Sequence, residues 1–175
     1  MIPDLQRVLD PTYLAAVADA DTEGLRAMRR ECNDLENGVS YVRRIAQARL
    51  DVLTAEVQRR ADGGGGDLAD LVARLPELLS DGVRGPASGR VDQELDPPEW
   101  VVEPLTDKLD AVVGGSVMSE VTELGDDALS AAVIAMRRYE EELSASRRSL
   151  HDTIDSLNDE LARRISAGEG STTAP

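Results

Sequence analysis

The sequence contains no phenylalanine, one cysteine, one histidine and a single lysine, Lys108. Its aromatic residues are Tyr13, Tyr41, Trp100 and Tyr139. A β-sandwich or α/β core normally draws on more aromatic and β-branched bulk than this. With Cys32 alone, neither an internal disulfide nor a cysteine-based zinc site can form. His151 and Asp155 stand four residues apart, but no second histidine exists to complete a common metal site. No apolar run approaches the length that spans a bilayer, and Met1-Ile2-Pro3-Asp4 is not a basic region leading into an apolar one. A cytoplasmic protein without a membrane segment is expected. Enzyme signatures are missing too. Gly63–Gly66 follows a helical pattern and lacks the lysine of a P-loop, and no nucleophile elbow or triad is present. The chain does not read as an enzyme.

Positive charge is also in short supply. Nineteen Lys and Arg stand against 34 Asp and Glu, a formal net charge of −15. Nonspecific binding to DNA or RNA needs cations to replace phosphate counterions, so direct nucleic-acid binding is not expected. The charge suits a basic protein partner, or simply keeps a small helical protein soluble. Arginine in place of lysine, with abundant Ala, Gly and Asp, is the compositional mark of a GC-rich bacterial genome.

What is plentiful is helix-forming. Ala, Leu, Arg, Glu and Asp dominate, and the chain is expected to be all-α. Residues 1–21, with Pro3 and Pro11, have room for one short helical turn around Tyr13–Ala18. From Thr22 to Ala61 the apolar positions Leu25, Met28, Cys32, Leu35, Val39, Val42, Ala46 and Leu53 step by threes and fours, a heptad seam broken at Arg49. Cys32 falls on that seam as a packed thiol. Asp21-Thr22 supplies an N-cap, and the Gly63–Gly66 run stops the helix. A shorter amphipathic helix is expected over Asp67–Ser80, kinked or broken at Pro76. Residues 81–98 read as a linker, and Trp100–Val113 as a short helix beginning near Pro104. Residues 126–166 form the second long helix, with a seam of Leu129, Ala132, Met136, Tyr139, Leu143, Ser146, Leu150, Thr153 and Leu157. Residues 167–175 read as a disordered tail. The expected architecture is an antiparallel two-helix coiled coil, with one or two short helices in a connecting segment over 67–124.

The two long helices repeat one another at a spacing of 104 residues, the distance from Glu36 to Glu140. Matching leucines follow from any shared heptad. Matching polar residues beside the seam do not. In the first copy these are Glu36, Ser40, Arg43, Gln47 and Asp51; in the second, Glu140, Ser144, Arg147, His151 and Asp155. Glu56, Arg59 and Arg60 likewise recur as Glu160, Arg163 and Arg164. At 100° per residue each five-residue ladder stays within an arc of roughly 80° along roughly 22 Å of helix. In an antiparallel pair with a pseudo-twofold axis midway between the ladders, Glu36 is expected opposite Asp155. Residue 60 then lies opposite residue 131.

The chemistry suits a guanine nucleotide. A carboxylate can accept from the N1–H and N2–H donors of guanine, and Arg can contact O6 and N7 or stack on the base. Arg and Ser can also hold phosphate oxygens. A solvated charged face of a coiled coil, binding a partner with no small ligand, is the alternative reading.

The ladder resembles the signature of the RsiG family of actinobacterial anti-sigma factors, E-xxx-S-xx-R-xxx-Q-xxx-D on two helices. The first copy matches at all five positions. The second matches at Glu140, Ser144, Arg147 and Asp155 and departs at His151, where the pattern has Gln. The resemblance implies an antiparallel coiled coil that binds cyclic di-GMP, as a dimer of the nucleotide. It also implies a protein that, when loaded, sequesters WhiG, a sigma factor for sporulation genes. A neutral imidazole still offers one donor and one acceptor, so His151 keeps the site usable and can make it pH-dependent.

Overall fold

The computed structural model describes residues 2–63 and 97–168. The helix expected over 67–80, most of the 81–98 linker and most of the 167–175 tail lie outside them. Among the described residues the chain is all-α. Its elements are α1 (Pro3–Leu9), a 3₁₀ helix (Tyr13–Ala18), α2 (Thr22–Ala61), α3 (Glu99–Val112), α4 (Gly115–Ser119) and α5 (Asp126–Ser166). The expected ends of both long helices match the observed ones. Their causes are visible. Asp21 Oδ1 accepts the backbone N–H of Gly24 at 2.7 Å, which caps α2. At the far ends Gly63 and Gly168 turn the chain at φ +92° and +78°, conformations that an L side chain disfavours.

The chain divides into two compact units, each containing part of both long helices. The first comprises Met1–Arg43, Pro97–Thr106 and Glu141–Pro175. In it α2 and α5 run antiparallel: Arg29 Nη1 reaches Asn158 Oδ1 at 3.4 Å, and Glu36 meets Arg147 and His151. Leu25, Cys32, Leu35, Val39 and Val42 from α2 are fully buried, with Leu150 and Leu157 from α5. Cys32 is the packed thiol its spacing suggested; burial, its main perturbation, pushes the thiol up to about 11. Ser146 and Thr153 keep the seam polar without an orphaned hydroxyl. Each donates to the carbonyl one turn back, at 2.9 and 3.0 Å.

The first unit also holds what the sequence left undefined. Residues 3–9 form a helix whose Leu5 and Val8 are buried. Arg7 pairs with Glu31, and Tyr13 donates its hydroxyl proton to the other oxygen of Glu31 at 3.1 Å. The N-terminal segment is therefore fastened to α2 by a two-handed carboxylate. The portion of α3 in this unit approaches α2 at Gly38. A Cβ built there would stand 2.4 Å from Val101 Cγ1. A mid-helix glycine usually costs about 1 kcal/mol against alanine; here it admits Val101 to the surface of α2.

In the second unit, Arg44–Asp96 with Asp107–Glu140, the break in the seam acquires a purpose. Arg49 Nη1 donates to the carbonyl of Val113 at 2.7 Å and pairs with Asp110 at 2.6 Å, closing the C-terminal turn of α3. Lys108 lies 4.9 Å from the centroid of the Tyr139 ring, a cation–π contact. The start of α3 corrects an expectation. The helix begins at Glu99 and contains Pro104 rather than opening on it. The reason lies in Val101, Leu105 and Leu109, one face at four-residue spacing and all buried, whose packing outweighs the single backbone hydrogen bond that Pro104 forgoes.

The repeated Glu–Arg–Arg triplet forms a clasp in each unit. In the second, Glu56 holds Arg59 and Arg60, and Arg60 reaches Val121 O at 3.3 Å, Thr122 O at 3.2 Å and Asp126 at 2.6 Å. In the first, Glu160 holds Arg163 and Arg164, and Arg164 donates to the carbonyls of Val17 at 2.8 Å and of Ala20. Each clasp ties the end of one long helix to the segment leading into the other. The Arg59 hydrogen bond, with the other arginine contacts, overcomes burial and lowers Glu56 to about 2. A depressed carboxylate stabilises the fold above its usual 4.5 and loses that contribution as pH falls toward 2. Glu56→Gln should therefore flatten the loss of urea stability across that acid window, measured against the unsubstituted chain.

Candidate functional site

Glu36, Ser40, Arg43, Ser144, Arg147, His151 and Asp155 lie in the first unit; Gln47, Asp51 and Glu140 lie in the second. The first unit brings four of these together from both copies of the ladder. Glu36 is the hub, with only 18% of its side chain exposed. Its Oε1 accepts from Ser40 Oγ at 2.7 Å and from Arg147 Nε at 3.0 Å, and lies 2.9 Å from His151 Nε2. Arg147 Nε also reaches Ser40 Oγ at 2.9 Å. Burial pushes Glu36 up, but the hydrogen bonds from His151, Ser40 and Arg147 and the charge of His151 outweigh it. The carboxyl is held below its usual range. It is an anion at neutral pH.

The helix geometry explains the grouping. Glu36 and Ser40 share a face of α2 at one-turn spacing, as do Arg147 and His151 on α5, and each pair flanks a buried seam. The partners of Glu36 differ from the two-fold expectation. Glu36 meets His151 and Arg147 instead of Asp155, and at the other end Arg60 meets Asp126 rather than residue 131. Charge accounts for both. Asp155 would face Glu36 with like charge, whereas one turn away the carboxylate finds two donors. Asp155 stands exposed beyond His151, and Arg43 and Ser144 are partly buried.

In the second unit Asp51 and Glu140 are partly buried acids within electrostatic reach of one another. Burial raises Asp51, and the negative charge of Glu140 raises it further. Here the ladder concentrates carboxylate, whereas beside Glu36 it presents the hydrogen-bond donors Arg147 and His151.

The arrangement can exchange partners. Arg147 is 40% exposed at its side chain and can turn toward an incoming anion without unfolding the seam beneath, while His151, 45% exposed, keeps Nε2 on Glu36 and leaves its other ring edge accessible. Glu36, released from Arg147, would present an ionised acceptor to paired N–H donors. Among the described residues no three or more His, Cys, Asp or Glu side chains gather as a metal site, and no helix is long and apolar enough to cross a membrane.

Sequence periodicity did not reveal Glu31, Arg7 and Tyr13, the N-terminal fastening, or Gly38. The signal for Gly38 was a glycine in the middle of a long helical pattern, where the close approach of Val101 accounts for it.

A family model described as RsiG-like matches residues 11–79 and 116–174, which take in both long helices and both ladders. No curated protein matches the chain closely enough to count as a relative.

Proposed function

The chain belongs to the RsiG-like family of regulatory, non-enzymatic anti-sigma factors, and from that premise we propose that it binds cyclic di-GMP on the paired ladder and, once loaded, sequesters a sporulation sigma factor of the WhiG type. The observation that carries the ligand reading is the Glu36–Ser40–Arg147–His151 cluster, in which rungs from both sequence copies converge on one ionised carboxylate. Two such ladders offer carboxylates to the guanine N1–H and N2–H donors and guanidinium groups to phosphate or to guanine O6 and N7. A duplicated platform suits a ligand with its own two-fold symmetry, a cyclic di-GMP dimer.

The sigma factor is the partner in this reading, and DNA is not. A net charge of −15 complements a basic DNA-binding protein and repels nucleic acid. The protein would act in the cytoplasm of an actinobacterium. Linkage then fixes the mechanism: the nucleotide favours the sigma-binding state, and sigma strengthens nucleotide binding by the same factor. Co-elution of this chain with a WhiG-type sigma factor in gel filtration should depend on added cyclic di-GMP. Equal complex formation with and without the nucleotide would instead favour a ligand-independent coiled-coil adaptor.

A further inference from the structure

We propose that His151 is the proton-sensitive rung of this site, and that it makes the anionic nucleotide bind more tightly as the medium becomes more acid. The inference rests on the reading that the ladder binds cyclic di-GMP, and it concerns the one position where the two copies of the ladder differ in a titratable group.

His151 Nε2 lies 2.9 Å from Glu36 Oε1, and an ionised carboxylate only accepts. The imidazole therefore carries a proton on Nε2 in both of its charge states. The states differ at Nδ1, which is a lone-pair acceptor in the neutral ring and an N–H donor in the protonated one. With 45% of the side chain exposed, that second edge is accessible to a ligand. The Gln47 amide at the equivalent rung has no second charge state.

Glu36 on α2 bonds the ring, Arg147 on α5 shares the same carboxylate oxygen, and Arg148, Asp152 and Asp155 are the ring's other charged sequence neighbours on α5. A phosphodiester laid against the ladder adds negative charge beside this set. It stabilises the imidazolium more than the neutral ring, so the complex holds the proton more strongly than the free chain does. By reciprocity, protonation strengthens nucleotide binding. The extra affinity is present when the ring is protonated in the complex and is lost when rising pH removes that proton. An uncharged ligand would gain nothing from it.

The readout is clean because His151 is the only histidine of the chain. Cys32 is buried and pushed up to about 11 by that burial, out of the neutral window. Calorimetry of the intact protein with cyclic di-GMP should show affinity about fivefold to tenfold higher near pH 6 than near pH 8, as follows if the complex holds the proton about ten times more tightly than the free chain. His151→Gln restores the residue of the other rung and should bind equally at both. Circular dichroism confirms that both proteins are equally helical. A wild-type affinity that does not change with pH, or a slope that survives in His151→Gln, overturns the inference while leaving the ligand site intact. Absence of binding by both proteins at both pH values overturns the inference and the ligand reading together.

Discussion

Replacing Arg43 and Arg147 together by alanine is expected to abolish measurable cyclic di-GMP binding while leaving the helical circular dichroism unchanged. The two are equivalent rungs of the repeated ladder, and both lie in the first compact unit. In the free chain Arg147 holds Glu36 and Ser40 from a position 40% exposed at its side chain. A partly solvated pair of that kind contributes up to about 1 kcal/mol, so its loss does not threaten the coiled coil. A bound nucleotide loses much more. Each guanidinium bonded to phosphate or base is worth about 1.5–3 kcal/mol, and losing two weakens binding by roughly a hundredfold to ten-thousandfold. Calorimetry reads the loss directly. A double variant that binds within a few-fold of wild type would remove the arginines from the site.

Gly38→Val should be the most damaging single change to the described scaffold outside the buried seam. Even a lone Cβ at this position would fall 2.4 Å from Val101 Cγ1 and 2.7 Å from Val101 Cβ. Valine adds two further carbons and cannot rotate them away, because its χ1 is restricted in a helix. Either α3 shifts off α2 or α2 bends, and overpacking of this kind costs about 1–3 kcal/mol. Valine's better helix propensity returns only a few tenths of that. Chemical denaturation should show the drop in midpoint. Val101→Gly in the same chain should recover part of it, since the two changes act on one contact. A variant as stable as the parent would show that α3 does not rest on Gly38.

Much of this scaffold is legible in the sequence because its signals are periodic and local. The heptad positions from Leu25 to Leu53 and from Leu129 to Leu157, with Asp21 at one end and glycines at the others, determine both long helices. The ladder was legible for a different reason: a repeat of polar residues is improbable unless something uses them. Three features were not legible because they depend on distant contacts. Nothing local in Arg49 says that its partners lie at Asp110 and Val113, 61 and 64 residues away. The α1 helix is too short to show a period, and its position depends on Arg7 finding Glu31. The partner of Glu36 was misplaced by one turn because a symmetric register ignores charge. His151 and Arg147 are better neighbours for a carboxylate than Asp155. The same comparison turns the His151 departure from the pattern into a working contact of the cluster.

The most direct measurement is a calorimetric titration of the intact chain with cyclic di-GMP, using cyclic di-AMP and GTP as controls. Saturable binding of about two nucleotides per chain, confined to cyclic di-GMP, is the expected result for a ligand dimer held by the repeated ladder. No binding of cyclic di-GMP, or equal binding of all three nucleotides, would contradict it.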